Sequence, residues 1–81
     1  MINRDVLFRR VEDELVLVKI ATNEIFALNP TGARIWELIG EGRDVEGVVS
    51  GLRDEYGQPE DALRSKVTAF VAELRRQGFL D

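Results

Sequence analysis

The chain contains no cysteine and no histidine. Without cysteine there can be no disulfide, no thiolate metal site and no thiol nucleophile. Without histidine the commonest general base and the commonest metal ligand are missing together. The Ser-His-Asp, Cys-His and zinc-hydrolase constellations are therefore excluded, and neither a cofactor nor a metal site is expected. Long apolar runs are missing too. The longest, Leu15 to Val18, is far too short to span a bilayer. Asn3, Arg4 and Asp5 interrupt any signal-like segment at the start. The expectation is a cytoplasmic protein with no membrane partner. Basic charge is scarce, with 11 Lys and Arg against 15 Asp and Glu, a net charge of −4. A nucleic-acid binder uses a basic face to neutralise phosphates, so no nucleic-acid partner is expected.

What remains is 81 residues opening on Met1, which read as a complete small protein with one domain over 1–81. Hydrophobic residues at 44% and charged residues at 32% suit an ordered globular chain. Val6 to Val11 and Leu15 to Ile20 are rich in strand formers, with Glu12, Asp13 and Glu14 as an acidic turn between them. Ala21 to Asn23 is a second turn and Glu24 to Leu28 a third strand. Short links predict an antiparallel meander. The apolar period then changes. Asn29 is a helix cap and Pro30 suits the first helical position. Ile35, Trp36, Leu38 and Ile39 follow at helical spacing, and Gly40-Glu41-Gly42 ends that helix. Asp44 caps a second helix, with Val45, Val48, Val49, Leu52 and Tyr56 on one face and Gly57 beyond its end. A third starts near Pro59, carries Leu63, Val67, Phe70 and Leu74 as a stripe that Val71 widens, and stops at Gly78. The fold class is α+β: a three-stranded antiparallel sheet followed by three helices, with the helices on one face.

Asn29-Pro30-Thr31-Gly32 sits at a strand-to-helix junction, where anions can bind. A phosphate loop needs several glycines and a Gly-Lys-Ser/Thr run, and this one has a single glycine and no lysine nearby. It reads as a capped hinge. Arg64, Lys66, Arg75 and Arg76 on the third helix could belong to a helix-turn-helix reader, but Glu60, Asp61 and Glu73 are interleaved with them. The third strand, Glu24-Ile25-Phe26-Ala27-Leu28, is more informative. It has no proline or lysine to block pairing. An unprotected sheet edge beside an amphipathic helix is a site for an added peptide strand.

The ordered set Phe26 to Leu38 (FALNPTGARIWEL), Glu55-Tyr56-Gly57, Pro59-Glu60, Val67 to Phe70, Leu74 and Gly78-Phe79-Leu80 resembles the PqqD-like family over roughly residues 14–80. That resemblance implies a winged-helix-like fold and no enzymatic activity. It implies a recognition element that binds the leader segment of a ribosomally made precursor peptide. The leader adds to the third strand and lies against the third helix, and the adaptor presents it to a processing enzyme. That enzyme is a leader peptidase in lasso-peptide pathways, or a radical SAM enzyme in quinone-cofactor synthesis; Asn-Pro-Thr-Gly and Ile-Trp favour the lasso type. Carried onto this chain, the expected peptide-binding residues are Asn23, Glu24, Ile25, Phe26, Ala27 and Leu28 on the strand, with Arg64, Val67, Thr68, Val71 and Arg75 on the helix. Lys66 stands where many relatives carry an acidic residue.

Overall fold

The computed structural model describes residues 2–81, so Met1, the first residue of the expected 1–81 domain, lies outside the described residues. The elements run β1 (Val6–Val11), β2 (Glu14–Lys19), β3 (Glu24–Leu28), α1 (Pro30–Gly40), α2 (Val45–Tyr56) and α3 (Glu60–Arg76). The strands form one antiparallel sheet in the order β1-β2-β3. The α+β arrangement of three strands followed by three helices is thus as the sequence predicts.

Two turns set the register. Glu12 adopts φ 57°, and the two-residue turn Glu12-Asp13 closes on the Val11–Glu14 pair. β2 therefore begins at Glu14 and ends at Lys19, one residue earlier at each end than its apolar run. Ile20 passes into the next loop, where its N–H donates to the Asp5 carbonyl at 2.9 Å. That loop closes with Asn23 at φ 59° and its N–H on the Lys19 carbonyl at 2.8 Å.

Alternation along each strand separates two faces. Leu15, Leu17 and Leu28 point into the core and are buried, and Phe26 packs against it. Leu7, Val11 and Ile25 lie on the other face and are exposed.

The helices close over the inner face. Asn29 accepts the Gly32 N–H at 2.8 Å, with Pro30 at the first helical position. α1 buries Ala33, Ile35, Trp36, Leu38 and Ile39. Trp36 meets Phe8 edge-on, ring centroids 5.7 Å apart. Its buried Nε1 has no hydrogen-bond partner, a cost of about 1–3 kcal/mol that packing must offset. Asp44 caps α2 by accepting the Gly47 N–H at 2.8 Å, and Val48, Val49 and Leu52 are buried. A Cβ on Gly51 would lie 3.2 Å from Leu38 Cδ1, so this glycine lets α2 approach α1. Tyr56 departs from the expected apolar face: it is 48% exposed because the last turn of α2 outruns the core.

α3 turns Leu63, Val67, Val71 and Leu74 inward, while Phe70 is only half buried. The expected order of Phe70 and Val71 is thus reversed. Gly78, at φ 86°, redirects the chain. Phe79 and Leu80 return to the core at 1% and 4% exposure, where Leu80 bridges Ile2 and the Asn3 amide donates to the Gly78 carbonyl. An ion-pair chain of Arg10, Glu37, Arg34 and Glu55 ties β1 to α1 and α2. Among the described residues no helix is long and apolar enough to cross a membrane, and no acidic cluster could hold a metal ion.

Candidate peptide-docking site

β3 is paired with β2 on one side only, so its other side is a free edge. Ile25, 71% exposed, and Ala27 project to the outer face, whereas Phe26 and Leu28 project inward. Asn23 belongs to the loop and Glu24 opens the strand. The Glu24 carboxylate accepts from the Thr22 hydroxyl at 2.8 Å and from Lys19 Nζ at 3.2 Å. The Thr22 bond first, and Lys19 second, hold that carboxyl below its ordinary range. Glu24 thus fastens the base of the hairpin that carries the edge.

Beside the far end of β3 lies a groove of about 200 Å³ lined by Asn29, Thr31, Gly32, Ile35, Lys66 and Phe70. Gly32 makes it possible. A Cβ there would stand 3.2 Å from Phe70 Cζ and 3.5 Å from Leu28 Cβ. Its absence lets the Phe70 ring lie over the first turn of α1, at the end of the strand. Farther along the inner face Phe26 meets Phe79 edge-on at 5.7 Å, and Lys19 Nζ sits 5.7 Å from the centroid of the Phe79 ring. Lys66 is exposed and has no ion pair among the described residues. It adds an uncommitted cation to a cleft that Asn29 and Thr31 line beside Ile35 and Phe70.

The helix residues expected from the sequence fall elsewhere. Arg64 reaches across to α2, donating to Glu46 at 2.8 and 2.9 Å, and that bond holds the Glu46 carboxyl low. Val71 and Arg75 line a second groove of about 260 Å³ with Ile39, Arg43, Val45, Val48 and Leu80. Thr68 is exposed beside Ser65, Ala69 and Ala72 on the solvent side of α3. Val67 is 0% exposed and offers no surface to a ligand. The structure therefore places Lys66 and Phe70 beside Gly32 and the Leu28 end of β3, and sets Arg64, Val71 and Arg75 toward α2. The physical reason is helix rotation. Seating Val71 inward turns the flank of Lys66, Phe70, Glu73 and Gln77 the opposite way from Arg64 and Arg75. The spacing of those four residues marks them as one face of a helix. Only the packing of Phe70 on Gly32 shows where that face points.

The profile of the family described as coenzyme PQQ synthesis protein D (PqqD) matches residues 14–80. Two solved structures share the fold. One is TbiB1 in complex with the TbiA(beta) leader peptide, 29% identical, covering 99% of this chain and 93% of that one, with a TM-score of 0.94. The other is a lasso peptide synthetase B1 complexed with the leader peptide, 22% identical, covering 96% of this chain and 92% of that one, with a TM-score of 0.89. No curated protein matches the chain.

Proposed function

This chain belongs to the PqqD family, and from that premise we propose that it is a non-catalytic adaptor for a ribosomally made precursor peptide. It binds the leader segment as a fourth strand on β3 and presents the precursor to a processing enzyme, a leader peptidase in lasso-peptide biosynthesis. The observation that carries this reading is the bare β3 edge beside the Lys66–Phe70 groove, on a fold shared with TbiB1 in complex with its leader peptide. The absence of histidine and cysteine supports a binding role rather than a catalytic one.

In an antiparallel ladder alternate residues turn their N–H and C=O to opposite sides. Counting by twos from the Lys19–Glu24 pair that closes the hairpin turns those of Ile25 and Ala27 to the free edge. They supply the ladder bonds, and the groove of Ile35, Lys66 and Phe70 beside the end of the strand takes leader side chains on the inner face. Titration with synthetic leaders of the precursors encoded beside this gene tests the reading. One leader binds with submicromolar affinity and slows hydrogen exchange at Ile25 and Ala27. If none of those leaders binds, the adaptor role is wrong.

A further inference from the structure

Most cations of this chain have a carboxylate partner, and Lys66 has none among the described residues. Its own helix cannot supply one. The positions three and four away on α3 are Ala62, Leu63, Ala69 and Phe70. The first turn of α1, across the groove, brings no acidic residue either. A lysine on an open helix face needs no partner, but this one lines a groove at the Leu28 end of the docking edge.

The polar groups of that groove share one character. Lys66 carries three donors and no acceptor. Asn29 gives its side-chain oxygen to the Gly32 N–H at 2.8 Å, so its amide hydrogens are what it still has to offer. Thr31 adds a hydroxyl, and Ile35 and Phe70 add apolar wall. A space of about 200 Å³ with these walls suits a single side chain that has a short apolar stem and an anionic head. A cationic side chain would meet Lys66 head-on, and a neutral one would leave its charge uncompensated.

We propose that this groove selects an acidic side chain of the leader, Asp or Glu, and that Lys66 is the residue that reads it. The inference rests on the leader-binding reading above and deepens it. Strand addition holds a peptide by its backbone and accepts many sequences, so selectivity comes from pockets for alternate side chains. The ladder gives the position. Both pairings within the sheet are antiparallel, and antiparallel pairing is the more stable kind. A leader added to β3 in that sense brings its N-terminal part to the Leu28 end. Its residue opposite Ala27 turns to the outer face, and the residue before that turns inward, level with Leu28. The carboxylate belongs at this inward position or at the next one, two residues earlier in the leader.

The test pairs Lys66 variants with variants of the leader that the wild-type protein binds. Lys66 is exposed, and alanine, glutamate and arginine are all good helix formers, so the three replacements fold, as circular dichroism verifies. Each Asp and Glu of the leader is changed in turn to Asn or Gln, and affinities are measured by calorimetry at low and high salt. Lys66→Ala weakens binding about fivefold and Lys66→Glu weakens it further, whereas Lys66→Arg stays within about twofold of wild type. One leader substitution reproduces the loss, and adding it to Lys66→Ala costs nothing more. Lysine at that leader position restores binding to Lys66→Glu. The losses shrink as salt is raised. A Kd that Lys66→Glu leaves unmoved overturns the proposal, as does a bound leader without acidic residues, or additivity between Lys66→Ala and every leader substitution. In each of those outcomes the leader still binds and the adaptor reading stands. If the wild-type protein binds no leader, the adaptor reading fails first and takes this one with it.

Discussion

Replacing Ala27 with proline removes one backbone donor from the proposed docking edge and nothing else of consequence. Ala27 is exposed, and its place on an edge strand is of the kind where a sheet tolerates proline. Its N–H faces away from β2, so the free protein keeps its ladder, and the stability change stays below about 1 kcal/mol. The bound state loses more. A neutral backbone hydrogen bond contributes about 0.5–1.5 kcal/mol net, and a leader carbonyl left without a donor under cover costs about 1–3 kcal/mol. A combined loss of about 1.5–4.5 kcal/mol raises Kd by roughly 10- to 2,000-fold. Calorimetry against the cognate leader measures this, and melting followed by circular dichroism shows that the variant is folded. Ala27→Ser retains the N–H and keeps the wild-type Kd to within about twofold. A folded Ala27→Pro protein with undiminished affinity would refute strand addition at this edge.

Phe70→Ala removes one wall of the groove and weakens leader binding about tenfold, whereas Arg75→Ala, on the α2 side, leaves calorimetric affinity unchanged. The opposite ranking would put the leader on the other flank of α3. Val67→Ala lowers the unfolding free energy by about 2 kcal/mol in urea titrations, yet leader affinity of the folded fraction is retained, because Val67 is wholly inside the core. Gly57→Ala places a side chain at φ 68° and costs about 1 kcal/mol in the same assay. Hydrogen bonds from Thr22 and Lys19, Arg10, Arg64 and Gln77 hold the carboxyls of Glu24, Glu37, Glu46 and Glu73 below the ordinary value of 4.5. Groups with depressed folded values stabilise the fold above their unfolded pKa, and that contribution is lost as pH falls through the folded values. The melting temperature is therefore level at neutral pH and drops below about pH 4.5, and Glu37→Gln makes the acid limb shallower.

The chain's local signals are strong where one residue does one job. Asn29 and Asp44 cap helices, Gly57 ends one, and a run of strand formers from Glu24 to Leu28 becomes β3 with those bounds. The free edge was legible for the same reason, since nothing in Glu24 to Leu28 resists pairing. The roll of α3 was not. Phe70 and Val71 are both apolar, and either could face inward by periodicity alone. The choice is made across the fold, by the space Gly32 leaves for the Phe70 ring and by the reach of Arg64 to Glu46. Tyr56 follows the same logic: its spacing fits the α2 stripe, but the stripe has no core left to meet at that end. The apolar outer face of the sheet was present in the strand sequences, though only the register shows that Leu7, Val18 and Ile25 lie side by side.

The single tryptophan of this chain, Trp36, is sealed against Phe8, on the strand farthest from β3. Its emission is consequently blue-shifted in the native state and moves red when the core opens, which makes it a built-in optical gauge of folding. The same placement makes it blind to the β3 edge. A leader can saturate the adaptor with little change in intrinsic fluorescence, so a silent emission titration is no evidence against binding, and a dye on the peptide is the signal to follow.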